Sequence, residues 1–327
     1  MGDTFSMGKS TSPYNGMFPS HISPVRKRDR YYWPIFTLAA VVANVIIFII
    51  VMYDNNCPAN IIPPDRCVLG SFRRMSFQPW NQNPLLGPSS ATLQRMGGLM
   101  TFLVVDQQQG WRLMSCVWLH AGVFHLVINM TALLIFGIQL EKEFGIIRVG
   151  LLYLISGLGG GLLSTLFNSH AISVGASGAL FGLAGATLAE LITNWSHFHN
   201  RCSLTWQLII VAAVNFSIGL MPRVDNFAHI GGFITGLLLG FVLLMKEQYG
   251  YVWQRDLVDP NIERPMKRRF KVYQIVLFVA SILLLITGFI AGFIALYNNV
   301  DINEICRWCR RINCVPSPRW SCNSTSG

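Results

Sequence analysis

Charge is what this chain has least of. Of its 327 residues, 25 are Lys or Arg and 15 are Asp or Glu, 12% in all, where soluble domains carry about 25%. The apolar residues make up 52% of the chain, with a mean hydropathy of +0.44. They come in long blocks, which excludes an ordinary soluble core and argues for several transmembrane helices. Ionised residues inside the blocks and internal repeats would mark a transporter or channel, and neither is evident. A cleavable signal peptide is missing too. The first 33 residues are polar, Ser/Pro-rich and end in Arg26-Lys27-Arg28-Asp29-Arg30, which reads as a disordered cytosolic tail ahead of an uncleaved first helix. The formal net charge of +10 does not point to nucleic acid, because the Lys and Arg lie mostly between apolar blocks, where membrane topology accounts for them.

The apolar spans lie at roughly 34–53, 121–140, 147–167, 176–193, 204–220, 227–245 and 272–297, so the expected fold class is an all-α polytopic membrane protein. The basic run before the first span places the N-terminus in the cytosol. Alternation then puts 54–120, 168–175 and 221–226 outside, and 141–146, 194–203 and 246–271 inside. The last inner segment carries Lys246, Arg255, Arg264, Lys267, Arg268, Arg269 and Lys271, which fits. The tail pulls the other way with Arg307, Arg310, Arg311 and Arg319, but early segments usually dominate orientation. The expected organisation is a tail 1–33, a six-helix core 34–245 with a large outer loop 54–120, a basic cytosolic linker 246–271, a seventh transmembrane helix 272–297 and a Cys-rich outer tail 298–327.

Cysteine placement tests the sidedness independently. Cys57, Cys67 and Cys116 fall in the first outer loop, and Cys306, Cys309, Cys314 and Cys322 in the tail, leaving Cys202 on the cytosolic side. That bias fits disulfides in an oxidising lumen, with one outer thiol left free or intermolecular. A zinc site built on Cys306-x-x-Cys309 with Cys314 and Cys322 is the alternative.

Two polar residues at the heads of apolar spans suggest chemistry. Ser177 lies in Gly175-Ala176-Ser177-Gly178, and His229 in Ala228-His229-Ile230-Gly231-Gly232-Phe233-Ile234-Thr235-Gly236. On the topology above both spans run from outside to inside, so the two side chains lie at one depth below one face, as a nucleophile and its base would. His125 and Asn129 stand i to i+4 on one helical face, again in the outer half, where their donors could stabilise an oxyanion with the Ser177 amide. Read singly, each could equally be an interhelical hydrogen bond.

Gly232, Gly236 and Gly240 repeat at four-residue spacing near His229, and Gly178 with Gly182 forms a similar strip beside Ser177. Small-x-x-x-small faces let helices approach closely, and a short hydroxyl reaches an imidazole on a neighbouring helix only when they do. Asp225 and Asp106 are read as loop residues and Glu190 lies toward the inner end of its span, so the pair is a dyad without a carboxylate. Phe181, one turn below Ser177, could stack on His229 or simply face lipid or core.

These residues resemble the rhomboid intramembrane serine proteases. The matching pieces are Gly175-Ala176-Ser177-Gly178, Ala228-His229-x-x-Gly232-x-x-x-Gly236, His120-x-x-x-x-His125-x-x-x-Asn129, Trp111-Arg112 and Gly137-x-x-x-Glu141-x-x-x-Gly145. The resemblance covers roughly residues 98–245. It implies a rhomboid-like six-helix core, Ser177 as nucleophile, His229 as general base, and His125 and Asn129 as the oxyanion hole, with no metal or cofactor. Phe181 stands where many bacterial members have Tyr. The added seventh helix and Asn83-Pro84-Leu85-Leu86-Gly87-Pro88-Ser89-Ser90 look like plant secretory-pathway members. They imply a Golgi, endomembrane or plasma-membrane address with the site facing the lumen, and the lack of an Arg-rich amphipathic presequence agrees. The implied partners are single-pass transmembrane substrates and the bilayer, with Trp111, Arg112 and Trp80 anchoring the loop at lipid headgroups. The rival reading is an inactive relative that binds transmembrane clients for trafficking or degradation.

Overall fold

The computed structural model describes residues 32–60, 66–167, 171–195, 225–249 and 268–300, with isolated positions between 202 and 209 and between 302 and 312. Among these residues, six long helices carry the fold: α1 (Ile35–Asn55), α2 (Val123–Phe144), α3 (Ile146–Phe167), α4 (Ser177–Thr193), α5 (Asn226–Leu243) and α6 (Val272–Tyr297). Five of them, α1 with the turn after it (Ile35–Asn60), α2, α3, α5 and α6, are long and apolar enough to cross a membrane. The shorter α4 has 17 residues, about 25 Å of helix, which serves because it is packed among other helices rather than facing lipid alone. Most of the expected span at 204–220 lies outside the described residues, as do residues 1–31, most of the linker 246–271 and most of the tail beyond 300. At the linker's ends, Gln248–Tyr249 pairs antiparallel with Arg268–Arg269, a small strand ribbon in an otherwise helical chain.

The described helices alternate in direction except for α4 and α5, which run the same way on either side of a segment that lies mostly outside the described residues. The start of α1 meets the end of α2, and the start of α6 meets the ends of α4 and α5, where Tyr273 Oη donates to Thr193 O (2.9 Å) and Gln274 Nε2 to Lys246 O (3.0 Å). The starts of α2, α4 and α5 therefore share one end of the bundle with the ends of α1, α3 and α6. This is the grouping that alternation of the spans requires.

Three helices form the close-packed centre. A Cβ on Gly232 would overlap the Gly178 carbonyl oxygen, and one on Gly236 the Gly182 carbonyl oxygen. The glycine strips on α4 and α5 thus face each other with backbone against backbone. From α3, a Cβ on Gly160 would come within 2.6 Å of Ala228 O, and one on Gly159 would overlap Thr235 Oγ1. With apolar lipid on the outside, such van der Waals contact between backbones is what holds membrane helices together.

Buried polar groups join the elements. Glu141 (0% exposed) extends α2 four residues past its expected end because its carboxylate caps α1. It accepts from Phe36 N (2.7 Å), Thr37 N (2.8 Å) and Thr37 Oγ1 (2.7 Å), satisfying donors that a helix start leaves open. At the same end Lys246 pairs with Glu143 and reaches Glu190 at 3.6 Å. At the other end Asn55 Oδ1 accepts from Ser89 N (2.9 Å), Thr92 Oγ1 (3.0 Å) and Gln78 Nε2 (3.3 Å), pinning the large loop to the end of α1. Disulfides join Cys57 to Cys67 and Cys306 to Cys309, while Cys116 and Cys202 are free thiols. The first two pairs accord with the disulfide reading of the outer segments. The disulfide leaves no thiolates on Cys306 and Cys309 for zinc, and Cys314 and Cys322 lie outside the described residues.

Glu141→Ala leaves three donors without an acceptor, and the expected loss is about 3 kcal/mol. Thermal unfolding of the detergent-purified protein should show a clearly lower midpoint, with Glu141→Gln between it and the parent because the amide oxygen still accepts. An unchanged midpoint in Glu141→Ala would refute the cap.

Candidate active site

The site is built at the entrance to α4. The strand-like segment before it is fixed by a two-way bridge, Leu99 N to Ser173 O and Ser173 N to Leu99 O, both 2.9 Å. Gly175 N then donates to Cys116 O at 2.9 Å, and the chain turns at Gly175 with φ +135°, a conformation glycine adopts without a steric penalty. Ala176 precedes the helix and Ser177 is its first residue. The Ser177 amide is therefore one of the N-terminal donors with no partner inside the helix.

His125 and Asn129 face this turn from α2. A Cβ on Gly175 would lie 2.7 Å from His125 Cε1, 2.9 Å from His125 Nε2 and 3.6 Å from Asn129 Nδ2. The absent side chain leaves the space into which the donors point. Asn129 is buried, and its Nδ2 has no hydrogen-bond partner among the described residues. His125 Nδ1 accepts from Ala121 N at 3.4 Å, and its ring meets that of fully buried His120 edge-on at 5.3 Å. The start of α2 is held by the large loop. Val123 N donates to Leu86 O (2.8 Å), Asn83 Nδ2 donates to Ala121 O (2.8 Å), and a Cβ on Gly122 would overlap Leu85 O.

The contact between α4 and α5 brings the other pair together. His229 Nε2 lies 2.9 Å from Ser177 Oγ, the distance of a hydrogen bond. In the tautomer protonated at Nδ1 the serine hydroxyl donates to Nε2. Phe181 stacks on the imidazole with centroids 4.4 Å apart and planes 16° apart. His229 Nδ1 is buried without a protein partner among the described residues, so no carboxylate touches the ring. Asp225 is the N-cap of α5 rather than a free loop residue. Its Oδ1 accepts from Ala228 N at 3.1 Å and its Oδ2 from Ser164 Oγ.

Ser177, His229 and Phe181 thus meet, His125 and Asn129 converge on the space at Gly175, and Gly178, Gly232 and Gly236 form the contact that allows it. Trp111 and Arg112 do not join them, and Arg112 is no headgroup anchor. It is buried, donating Nη1 to Gln94 O (2.6 Å) and Gly98 O (2.8 Å) and Nε to Gln109 Oε1 (2.6 Å), with Trp111 beneath its guanidinium at 4.8 Å. Burial lowers its pKa below the usual guanidinium value. A planar cation with several donors can gather several loop oxygens at once, so Arg112 knits the loop, while Trp111 and Trp80 remain exposed. Cys116 is buried, and burial first, then the charge of Asp225, pushes its thiol up to about 12. It is therefore an inert thiol beside the site.

Sequence reasoning missed Gly159-Gly160-Gly161 on α3 and the Ser164–Asp225 contact. The triple glycine was a visible signal; the contact was not, since its partners are 61 residues apart.

A family model described as Rhomboid domain matches residues 107–246. RHOMBOID-like protein 1 of Arabidopsis thaliana is 50% identical over 295 residues, 90% of this chain and 75% of the relative. RHOMBOID-like protein 4 of the same plant is 52% identical over 297 residues, 91% of this chain and 73% of the relative. Inactive RHOMBOID-like protein 8, also from Arabidopsis thaliana, is 37% identical over 310 residues, 94% of this chain and 86% of the relative.

Gly175→Ala both strains a backbone that favours glycine and drives a methyl against His125. Labelling of Ser177 by a fluorophosphonate should slow by at least about tenfold, read as band intensity against time. Labelling at the parental rate would show that Gly175 does not shape this space.

Proposed function

The chain belongs to the rhomboid family, and on that premise we propose that it is an intramembrane serine endopeptidase working through a Ser177–His229 dyad. The observation that carries this reading is the 2.9 Å approach of Ser177 Oγ to His229 Nε2, with Phe181 stacked on the ring. The substrates are single-pass transmembrane proteins, cut near the lumenal or extracellular face. Such a helix unwinds at that face and presents a peptide carbonyl to the space at Gly175. His229 takes the Ser177 proton as Oγ bonds to the carbonyl carbon. The oxyanion that forms receives N–H donors from the Ser177 amide, Asn129 and His125, groups already held in place. The imidazolium returns its proton to the leaving nitrogen as the C–N bond breaks, and water then attacks the acyl-enzyme with His229 again as base.

The same reading puts the N-terminus in the cytosol and the dyad toward the lumen, from the basic linker 246–271 and the run at Arg26–Arg30. Disulfides in the two segments at the dyad's end support an oxidising compartment there, and so a Golgi, endomembrane or plasma-membrane address. One relative, 47% identical over 287 residues, carries the name RHOMBOID-like protein 6, mitochondrial; recovery of this chain in the mitochondrial fraction of cells would overturn the secretory-pathway address.

A relative named inactive matches this chain over most of its length, so the alternative reading is an inactive member of the family. The presence of both Ser177 and His229, in hydrogen-bond contact, favours catalysis. Ser177→Ala, expressed at the parental level, should abolish release of ectodomains from co-expressed single-pass proteins, a loss of roughly 10⁶ in kcat if it matches other serine proteases. Comparing ectodomains shed by cells with the parent and with this variant would name the substrates. Cleavage that persists in Ser177→Ala rules out the assigned nucleophile.

A further inference from the structure

We propose that Asp225 is the positioning residue of the Ser177–His229 pair, holding the first turn of α5 and supplying the negative charge that the imidazole lacks in direct contact. This deepens the proposed function and rests on it. The geometry is specific. Asp225 caps α5, with Oδ1 accepting from Ala228 N at 3.1 Å and its own carbonyl accepting from His229 N at 3.4 Å. Oδ2 accepts from Ser164 Oγ, a buried hydroxyl near the end of α3. Beside it the rings of Phe167 and Phe227 stack with centroids 4.2 Å apart and planes 8° apart. The start of α5 is thereby locked to the end of α3. His229 is one turn from the cap, so the cap's position sets how far the imidazole reaches toward Ser177.

The charge follows from where His229 sits. As a base it becomes a cation in the first turn of a helix, the end where the macrodipole is positive and disfavours cations. A carboxylate at the N-cap offsets that end of the dipole. Its field reaches the site interior, since Asp225 contributes to the upward push on the Cys116 thiol, the residue whose carbonyl holds Gly175. Of the titratable groups on the elements around the imidazole, His125 on α2, His120 and Cys116 in the loop and Tyr297 at the end of α6 lie at this end of the bundle, while Glu190 on α4 and Arg148 and Tyr153 on α3 lie farther toward the other. α3 contributes Ser164, which stays neutral.

Asp225→Asn separates the two roles. The amide keeps both contacts, its oxygen accepting from Ala228 N and its nitrogen donating to Ser164 Oγ, and only the charge is lost. The assay uses the purified full-length chain and a single-pass reporter that the parent cleaves and Ser177→Ala does not. We expect a fall in kcat of roughly threefold to tenfold with KM unchanged. Removing an anion near His229 makes its imidazolium harder to form, so the acid limb of the pH profile moves to lower pH by about half a unit or more. Asp225→Glu keeps the charge and should retain the parental pH profile even if the longer arm lowers kcat. Asp225→Ala loses the cap as well and should lose more kcat than Asp225→Asn. A parental kcat and pH profile in Asp225→Asn, or a loss expressed in KM alone, overturns the proposal while leaving the dyad intact. A parent that neither cleaves a reporter nor labels with a fluorophosphonate overturns the protease reading itself.

Discussion

Everything at the site depends on how closely the α4 and α5 backbones approach. Ser177 has one of the shortest polar side chains, and His229 adds only a ring, so a 2.9 Å contact between them requires helices nearer than ordinary side chains allow. Gly178 and Gly182 facing Gly232 and Gly236 remove the atoms that would hold them apart. Gly159 and Gly160 on α3 do the same where α3 meets α5 and α4. In lipid no hydrophobic effect drives helices together, so the surface complementarity of glycine strips carries the association. The packing that holds the bundle is also the packing that joins Ser177 to His229.

The second requirement is a fixed turn in front of Ser177, and the large loop between α1 and α2 supplies it. Asn55 ties that loop to α1, Arg112 gathers the carbonyls of Gln94 and Gly98, and the bridge between Leu99 and Ser173 carries the order to Gly175. Asn83 and Leu86 clamp the start of α2, from which His125 and Asn129 project. The loop is thus the wall of the site more than a membrane anchor. Glu141 does comparable service at the opposite end, where one carboxylate takes three donors from the start of α1.

Legibility in the sequence followed the range of the interaction. Helix spans were readable because each is a local apolar run, and α2 was cut short only because Glu141, Lys142 and Glu143 look like a terminus by hydropathy while remaining helical. Ser177, His229, Phe181 and the two glycine strips were readable because four-residue spacing fixes a helical face, and the faces needed only to be opposed. Arg112 was misjudged because an arginine near an exposed tryptophan looks the same whether it seeks phosphate or carbonyl oxygen. Only the positions of Gln94, Gly98 and Gln109 decide it. Asp225 reads as a loop residue in the sequence because neither its capping geometry nor distant Ser164 leaves a periodic trace. The strips of small residues carried the site into view; the contacts that tune it are long-range and left none.

The distribution of unmet hydrogen bonds argues for function independently of any motif. Among the described residues, the buried side-chain nitrogens without a partner belong to Asn55, His120, Asn129 and His229. Asn129 and His229 border the space beside Ser177, and His120 meets the ring of His125 that faces it. A buried donor or acceptor left unmatched costs about 1–3 kcal/mol; away from the site the described residues leave Asn55 Nδ2 and oxygens of Asn44, Tyr153, Ser156 and Glu190 unmatched. The protein therefore tolerates unmatched nitrogens chiefly in one place. Groups whose bonds are incomplete in the resting site gain most when a charge develops among them. An interaction stronger in the transition state than in the ground state is the kind that accelerates a reaction. On this physical ground, the end of the bundle that holds Asn129 and His229 is where peptide hydrolysis would be favoured.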